Sequence, residues 1–327
     1  MTGRGQASAS AAAIQHRIPD FFIVGHPKSG TSALYQMLRT YPQIHMPRKE
    51  PSFFVPELWP PHWQKYANGI DDYRAFYSEA GEDQLIGEAT TSYLWSHGAA
   101  QRIADIQPRA RIVAILREPA SFLRSLHLQF IRSNVETEPD LRTAIELDSQ
   151  RAEGMRLPPN STRPKALVYS EHVRYVEQLR RYHAAFPREQ VLVLIYEDFR
   201  ADNEAIIGEV LDFLGLEDAP PPELIEANHA SGLRSPRVHD LVRSLYMGRS
   251  GAARPAKAAI KALTPQRLRK RAVGTVARMQ RSEPPAVDEQ LMHELRVRFK
   301  GEVQALSDYL GRDMTARWGY DRIESER

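Results

Sequence analysis

The 327-residue sequence predicts a three-layer α/β fold, a central parallel sheet flanked by helices, with a basic helical insertion towards its C-terminal end. Three observations carry that expectation. Apolar, β-branched runs at Phe21–Val24 and Ala110–Leu116 read as strands covered on both faces. Each is followed at once by a helix-forming run, Ser32–Arg39 in the first case and SFLRSLHLQF after Pro119 in the second. Strand-then-helix order of this kind builds parallel sheets. The helix ends also carry residues with a physical reason to be there. Pro119 suits a first helical turn, where its missing N–H costs nothing. Gly215 follows a helix over Asn203–Leu214, where a left-handed C-cap is wanted.

The loop after the first strand is the most informative element. In FFIVGHPKSGTSAL, Phe21–Leu34, the chain breaks at Gly25-His26-Pro27 and a helix starts within a few residues. Such a loop presents backbone N–H groups at the positive end of a helix dipole, which makes an anion site. Its outer frame is that of a Walker A loop: Gly25, four residues, Gly30, then Thr31-Ser32. The fold is therefore expected to be P-loop-like. Yet Thr31 stands where a Walker lysine belongs, and Lys28 lies inside the loop instead. The strand at Ala110–Leu116 ends in Arg117-Glu118-Pro119. Arg117 at the strand end and Ser125 in the following helix are positioned to address one anion, the arginine as a planar fork of donors and the serine as a hydroxyl donor. Ligands of open α/β sheets bind at these strand ends.

PKSGTS resembles the 5′-phosphosulfate loop of sulfotransferases that use 3′-phosphoadenosine 5′-phosphosulfate (PAPS). Arg117-Glu118-Pro119 with Ser125 resembles the family's 3′-phosphate motif. Lys49-Glu50-Pro51-Ser52-Phe53-Phe54 and Gly87–Leu94, GEATTSYL, resemble segments of the heparan-type and related bacterial enzymes. Gln190–Phe199 resembles the late strand, with FLGL at Phe213–Leu216 and YLGRDM at Tyr309–Met314 as further landmarks. The likeness runs from about Asp20 to Trp318.

It implies an enzyme that moves a sulfuryl group from PAPS to a hydroxyl or amine of a carbohydrate, lipid or secondary metabolite, with no metal. It implies that Lys28, Ser29, Gly30, Thr31 and Ser32 hold the 5′ side of the donor, and that Arg117 and Ser125 hold the 3′-phosphate. Lys28 would stabilise the departing phosphate. Glu50 takes the position of the base, with Glu88 in reserve or in an orienting role and His45 a third option. The family's basic loop before a P-x-[IV]-D start falls at Arg278–Ser282, where Arg278 and Arg281 are candidates although Lys-Gly-Arg is missing. Two further departures, Ser52 in place of His and Ala89 in place of Lys, argue against a sulfated glycosaminoglycan acceptor.

Composition narrows the rest. Forty-four Lys and Arg against 41 Asp and Glu give a net charge of +3, so the overall field names no partner. With no cysteine there is no disulfide framework and no thiolate chemistry. No apolar stretch nears 18 residues, so no transmembrane helix is expected. Residues 1–18 read as a disordered lead, and 19–327 as one sulfotransferase-like domain, expected in the cytoplasm. Within it, Arg243–Arg281 holds eleven Lys or Arg and no acid, forming part of a basic helical insertion or lid over 243–283. That segment suits a solvated lid, a clamp on an acidic ligand or a peripheral membrane contact. Nucleic acid is not expected, because no stacking aromatics are interleaved. The aromatic stretch with Trp59, Trp63 and Tyr66 suits a wall of an acceptor cleft. Glu136–Pro164 reads as a charged stretch leading into a flexible excursion, MRLPPNSTRP. Two other function classes stay open on sequence grounds: a P-loop kinase or NTPase, and a non-catalytic module that keeps the nucleotide fold.

Overall fold

The computed structural model describes residues 17–47, 49–58, 69–158, 161, 163–216, 232–233, 281–282 and 285–323. Strands β1 (Phe21–Gly25), β2 (Ile44–His45), β3 (Leu85–Ala89), β4 (Arg111–Leu116) and β5 (Val191–Ile195) form one sheet in the order β2-β3-β1-β4-β5. Every pairing in it is parallel. The principal helices are α1 (Thr31–Leu38), α2 (Ala99–Ile106), α3 (Pro119–Arg132), α4 (Tyr175–Ala185), α5 (Asn203–Leu214) and α6 (Glu289–Leu310). The expected layered α/β architecture is the one found.

The period-two geometry of a strand explains the layers. Phe21 and Ile23 of β1 point into a cluster with Leu34 and Leu38 of α1 and Ile207 and Leu211 of α5. Phe22 and Val24 point the other way, to a larger cluster with Ile103 of α2, Phe122 of α3, Leu179 of α4 and Phe299 of α6. The helices that follow β1 and β4 thus lie on opposite faces. The strand ends between them diverge into a crevice, the switch point where α/β sheets take ligands.

Several boundaries differ from expectation for local reasons. β3 runs to Ala89, so Gly87-Glu88-Ala89 is strand, held by the register Phe21↔Gly87 and Ile23↔Ala89. The late strand stops at Ile195, and a short helix, Tyr196–Ala201, takes over from it. A 3-10 turn, Tyr169–Val173, leads into α4. The charged stretch from Glu136 is ordered by a buried ion pair. Arg151 donates to both Glu136 carboxylate oxygens at 2.7 and 3.0 Å and to the carbonyls of Ala144 and Leu167. Two short helices, Leu141–Glu146 and Asp148–Ala152, are folded around that pair. The basic segment lies outside the described residues except for Arg281-Ser282. These pair antiparallel with Gly232-Leu233 in a small ribbon (β6 and β7) beside α3.

Breaking a buried ion pair by removing one partner strands the other charge, typically at about 3–5 kcal/mol. Glu136→Ala is expected to lower stability by about that much in urea unfolding. A loss under about 1 kcal/mol would mean the pair is not holding this region.

Candidate active site

The loop Gly25–Gly30 leads from β1 to the N-terminus of α1. Gly30 caps α1 with a left-handed backbone, φ 85°. A Cβ there would stand 2.9 Å from the Phe199 ring, so glycine meets both a conformational and a steric demand. Lys28 is also left-handed, φ 64°. Its carbonyl oxygen accepts a hydrogen bond from Arg117 Nη1 at 2.8 Å. The loop of β1 and the end of β4, 89 residues apart in sequence, are thereby tied together.

Arg117 is fixed on every side. Its Nε donates to Ser121 Oγ at 3.1 Å, and its guanidinium lies 4.6 Å from the centre of the Tyr196 ring. The Tyr175 hydroxyl donates to its carbonyl at 2.7 Å. Glu118 caps α3, accepting from Ala120 N and Ser121 N, and also accepts from the Tyr320 hydroxyl at 2.6 Å. Glu197, at the end of β5, accepts from Glu118 N and from the Trp318 indole. The C-terminal Trp318 and Tyr320 therefore clamp the strand ends that carry Arg117 and Tyr196. Ser125 is buried one turn beyond Ser121, on the same face of α3.

Positive charge collects here. Arg132, Arg117 and Lys49, all cations, act on the Lys28 ammonium. Burial first, then these three charges, hold its pKa below the ordinary lysine value. Among the described residues no carboxylate forms an ion pair with Lys28. A half-buried lysine among cations is a site arranged for an anion. The Ser29 hydroxyl is buried, with no hydrogen-bond partner among the described residues.

The second wall comes from the segment after β2 and from the end of β3. Lys49 Nζ donates to Ser32 Oγ at 2.8 Å and Thr31 Oγ1 at 3.1 Å, and lies 3.6 Å from Glu50 Oε1. Glu50 is left-handed, φ 64°, as is Ser52, φ 58°. The Glu50 carboxylate accepts from Thr91 Oγ1 at 3.0 Å and remains partly open to solvent. Glu88 is placed differently. It is fully enclosed, accepting from the hydroxyls of Tyr73, Tyr77 and Thr90. Burial raises its pKa, against the opposing pull of those hydroxyls. Thr90 Oγ1 in turn accepts from Ser52 N at 3.4 Å, and the Tyr93 hydroxyl from Phe54 N at 3.3 Å. The Glu88 cage thus stands behind the turn that presents Glu50. His45 lies on β2 with its Nε2 buried and without a hydrogen-bond partner among the described residues. Arg278, Trp59, Trp63 and Tyr66 lie outside the described residues.

The structure therefore brings Lys28, Ser29, Gly30, Thr31, Ser32, Glu50 and Arg117 to one end of the sheet. It adds Lys49, Thr91, Ser121 and Tyr196, which sequence reasoning did not single out as site residues. Ser121 was in principle visible, standing four residues from both Arg117 and Ser125. Thr91 and Tyr196 carry no local signal, since their roles come from pairing across the sheet.

The sulfotransferase domain family matches residues 18–232. The chain belongs to that family. Heparan sulfate glucosamine 3-O-sulfotransferase 3B1 of Homo sapiens is 25% identical over 201 residues, covering 62% of this chain and 47% of the relative. The human bifunctional heparan sulfate N-deacetylase/N-sulfotransferase 3 is 30% identical over 205 residues, covering 61% of this chain and 22% of the relative. The chain thus spans about half, or less, of the length of these curated relatives. The crystal structure of a sulfotransferase from Alicyclobacillus acidocaldarius aligns with a TM-score of 0.57 and 26% identity, covering 74% of this chain and 96% of that one. No helix among the described residues is long and apolar enough to cross a membrane.

Two buried histidines beside the loop give the sulfotransferase site a pH signature. His26 Nε2 donates to Gln178 Oε1 at 2.7 Å, and the His172 ring lies 6.4 Å from the His26 ring, centre to centre. Burial lowers the His26 pKa to about 3 and that of His172 to about 4. In the unfolded chain both titrate near 6.5. Below that pH the unfolded chain binds protons that the folded one refuses. Stability is therefore full above about pH 6.5 and falls as pH drops towards about 4, by up to ~1.4 kcal/mol per pH unit for each histidine. His172→Phe should flatten part of the fall in melting temperature between pH 6.5 and 5. A wild-type protein whose melting temperature is constant over that range would contradict the assignment.

Proposed function

We propose that this chain transfers a sulfuryl group from PAPS to a hydroxyl or amine of a carbohydrate, lipid or secondary-metabolite acceptor. The observation that carries the reading is the gathering of Lys28, Lys49 and Arg117 around the start of α1, where Lys49 donates to Thr31 and Ser32, Arg117 donates to the Lys28 carbonyl, and neighbouring cations disfavour the charged form of Lys28. The family supplies the reaction class; the residues supply the fit. Donors suited to two separated anionic groups lie at adjacent strand ends, those of β1 and β4.

In this reading the amides of Ser29–Ser32 and the hydroxyls of Thr31 and Ser32 take the 5′-phosphate, and Arg117 and Ser125 take the 3′-phosphate. Sulfuryl transfer, like phosphoryl transfer, demands in-line positioning and neutralisation of the charge left on the leaving oxygen. Lys28 meets the second demand. Burial first, and then the neighbouring cations, lower its pKa, and a bound anion opposes both by favouring the charged ammonium. Glu50 is the base. It is partly solvent-open, oriented by Thr91 and beside Lys49, so it can accept a proton from an incoming hydroxyl. Glu88 holds the Glu50 turn through Thr90 rather than touching the reacting atoms. Arg278 and Arg281, which fall where the family has its basic loop, are proposed as further donors to the nucleotide.

Thermal-shift titration separates this reading from an NTPase. 3′-Phosphoadenosine 5′-phosphate should stabilise the protein strongly and ATP–Mg²⁺ weakly. The reverse order would sink the donor assignment. Lys28→Ala is expected to lower turnover by about 10²–10³-fold and Glu50→Gln by about 10²–10⁴-fold, with melting temperatures near wild type. Near-full activity in Glu50→Gln would place the base elsewhere. Arg117→Ala should weaken binding of the 3′-phosphorylated nucleotide more than it slows the bound complex, and unchanged affinity would remove its assignment.

A further inference from the structure

Lys49 is the buried cation of the site whose partners are hydroxyls of the anion loop itself. We propose that Lys49 is a positioning residue that fixes the direction of the Thr31 and Ser32 protons, so that both hydroxyls enter the complex as donors to a 5′-phosphate; this rests on the reading of the preceding subsection.

The argument is one of hydrogen-bond inventory. An ammonium group has three donors and no acceptor. Both hydroxyl oxygens sit within hydrogen-bond distance of Nζ, 2.8 Å for Ser32 and 3.1 Å for Thr31. Each must therefore accept from Lys49 and turn its own proton away from it. Among the described residues neither hydroxyl has a protein acceptor for that proton. A free hydroxyl rotates, and an anion that binds it has to select one rotamer. Here Lys49 has made the selection in advance, in the manner of a preorganised site. Lys49 is itself held by the carboxylate of Glu50, 3.6 Å away, and its side chain is only 19% exposed. The same ammonium thus touches the loop that grips the donor and the carboxylate assigned as the base.

The test compares two probes that differ by one group: 3′-phosphoadenosine 5′-phosphate, and adenosine 3′-phosphate, which lacks the 5′-phosphate. Affinities are measured calorimetrically for wild type, Lys49→Met, the double variant Thr31→Val/Ser32→Ala, and the triple combination. Lys49→Met should weaken the doubly phosphorylated nucleotide by roughly tenfold and leave adenosine 3′-phosphate unchanged. In the Thr31→Val/Ser32→Ala background it should add little, because its action passes through those hydroxyls. An equal further loss in that background would show direct charge action and overturn the proposal. No loss, or equal loss for both nucleotides, would overturn it too. If wild type binds neither nucleotide, the donor assignment fails first, and that result is distinct from the others. Where Lys49→Met does not fold, Lys49→Gln serves. Its amide oxygen offers the hydroxyls an acceptor on the wrong side, and the same selective loss is expected.

Discussion

The hydrogen bond from Arg117 to the carbonyl of Lys28 holds the site together. It is short, charge-assisted and long-range in sequence, joining the end of β4 to the loop of β1. The left-handed backbone at Lys28 turns that carbonyl to the guanidinium. Were the two strand ends free to part, the donors on each would still exist, but no rigid ligand could meet both at once. The rest of the architecture serves this junction. Tyr175 fixes the Arg117 carbonyl, Tyr196 supports its guanidinium, and Trp318 and Tyr320 pin the carboxylates on either side of it. A C-terminal element remote in sequence is thereby part of the nucleotide end of the sheet.

That junction comes with electrostatic tension. Arg132, Arg117 and Lys49 act on Lys28 in a partly desolvated space, and burial already disfavours the charged form of each lysine. Stability alone would favour neutral residues here. A loop lysine set among cations, with no carboxylate ion-paired to it among the described residues, is more naturally understood as half of an interaction, the other half arriving with the ligand. Helix α1 adds to it, since its first-turn amides point the same way and its first turn holds no acidic residue.

The fold was legible in the sequence where apolar runs were long and their ends punctuated. β1, β4 and α5 fall where periodicity and caps place them, Asn203–Leu214 to the residue. It was less legible where tertiary contacts decide. β3 gains Gly87–Ala89 because β1 offers a partner for them, although Gly and Glu are poor strand formers. The stretch after Glu136 is ordered by an ion pair between residues 15 apart, and charge in a sequence gives no sign of whether it will be buried. For the site, the residues with local signals, the loop glycines, Lys28, Arg117 and Glu50, lie together at one end of the sheet. Thr91 and Tyr196, whose roles arise across the sheet, carry no such signal. Lys49 is intermediate. It stands in a recognised segment, but sequence offers only Glu50 as its partner, and the hydroxyls of Thr31 and Ser32 become visible once β2 brings the segment beside α1.

The two carboxylates near the crevice show how environment assigns roles that chemistry alone leaves equal. Glu88 and Glu50 approach the same turn from opposite sides. Glu88 faces the aromatic layer, where hydroxyls of Tyr73, Tyr77 and Thr90 consume its lone pairs and burial raises its pKa. A carboxyl so enclosed spends its lone pairs on holding the neighbouring hydroxyls in place. Glu50 sits on a left-handed turn at the rim, held by one hydroxyl and one ammonium, with part of its surface open. The strained turn is maintained from behind, through Ser52 N to Thr90 and Phe54 N to Tyr93, by the cage that occupies Glu88. One acid is thus immobilised to make the backbone rigid, and the rigidity is what lets the other face the crevice in a fixed direction.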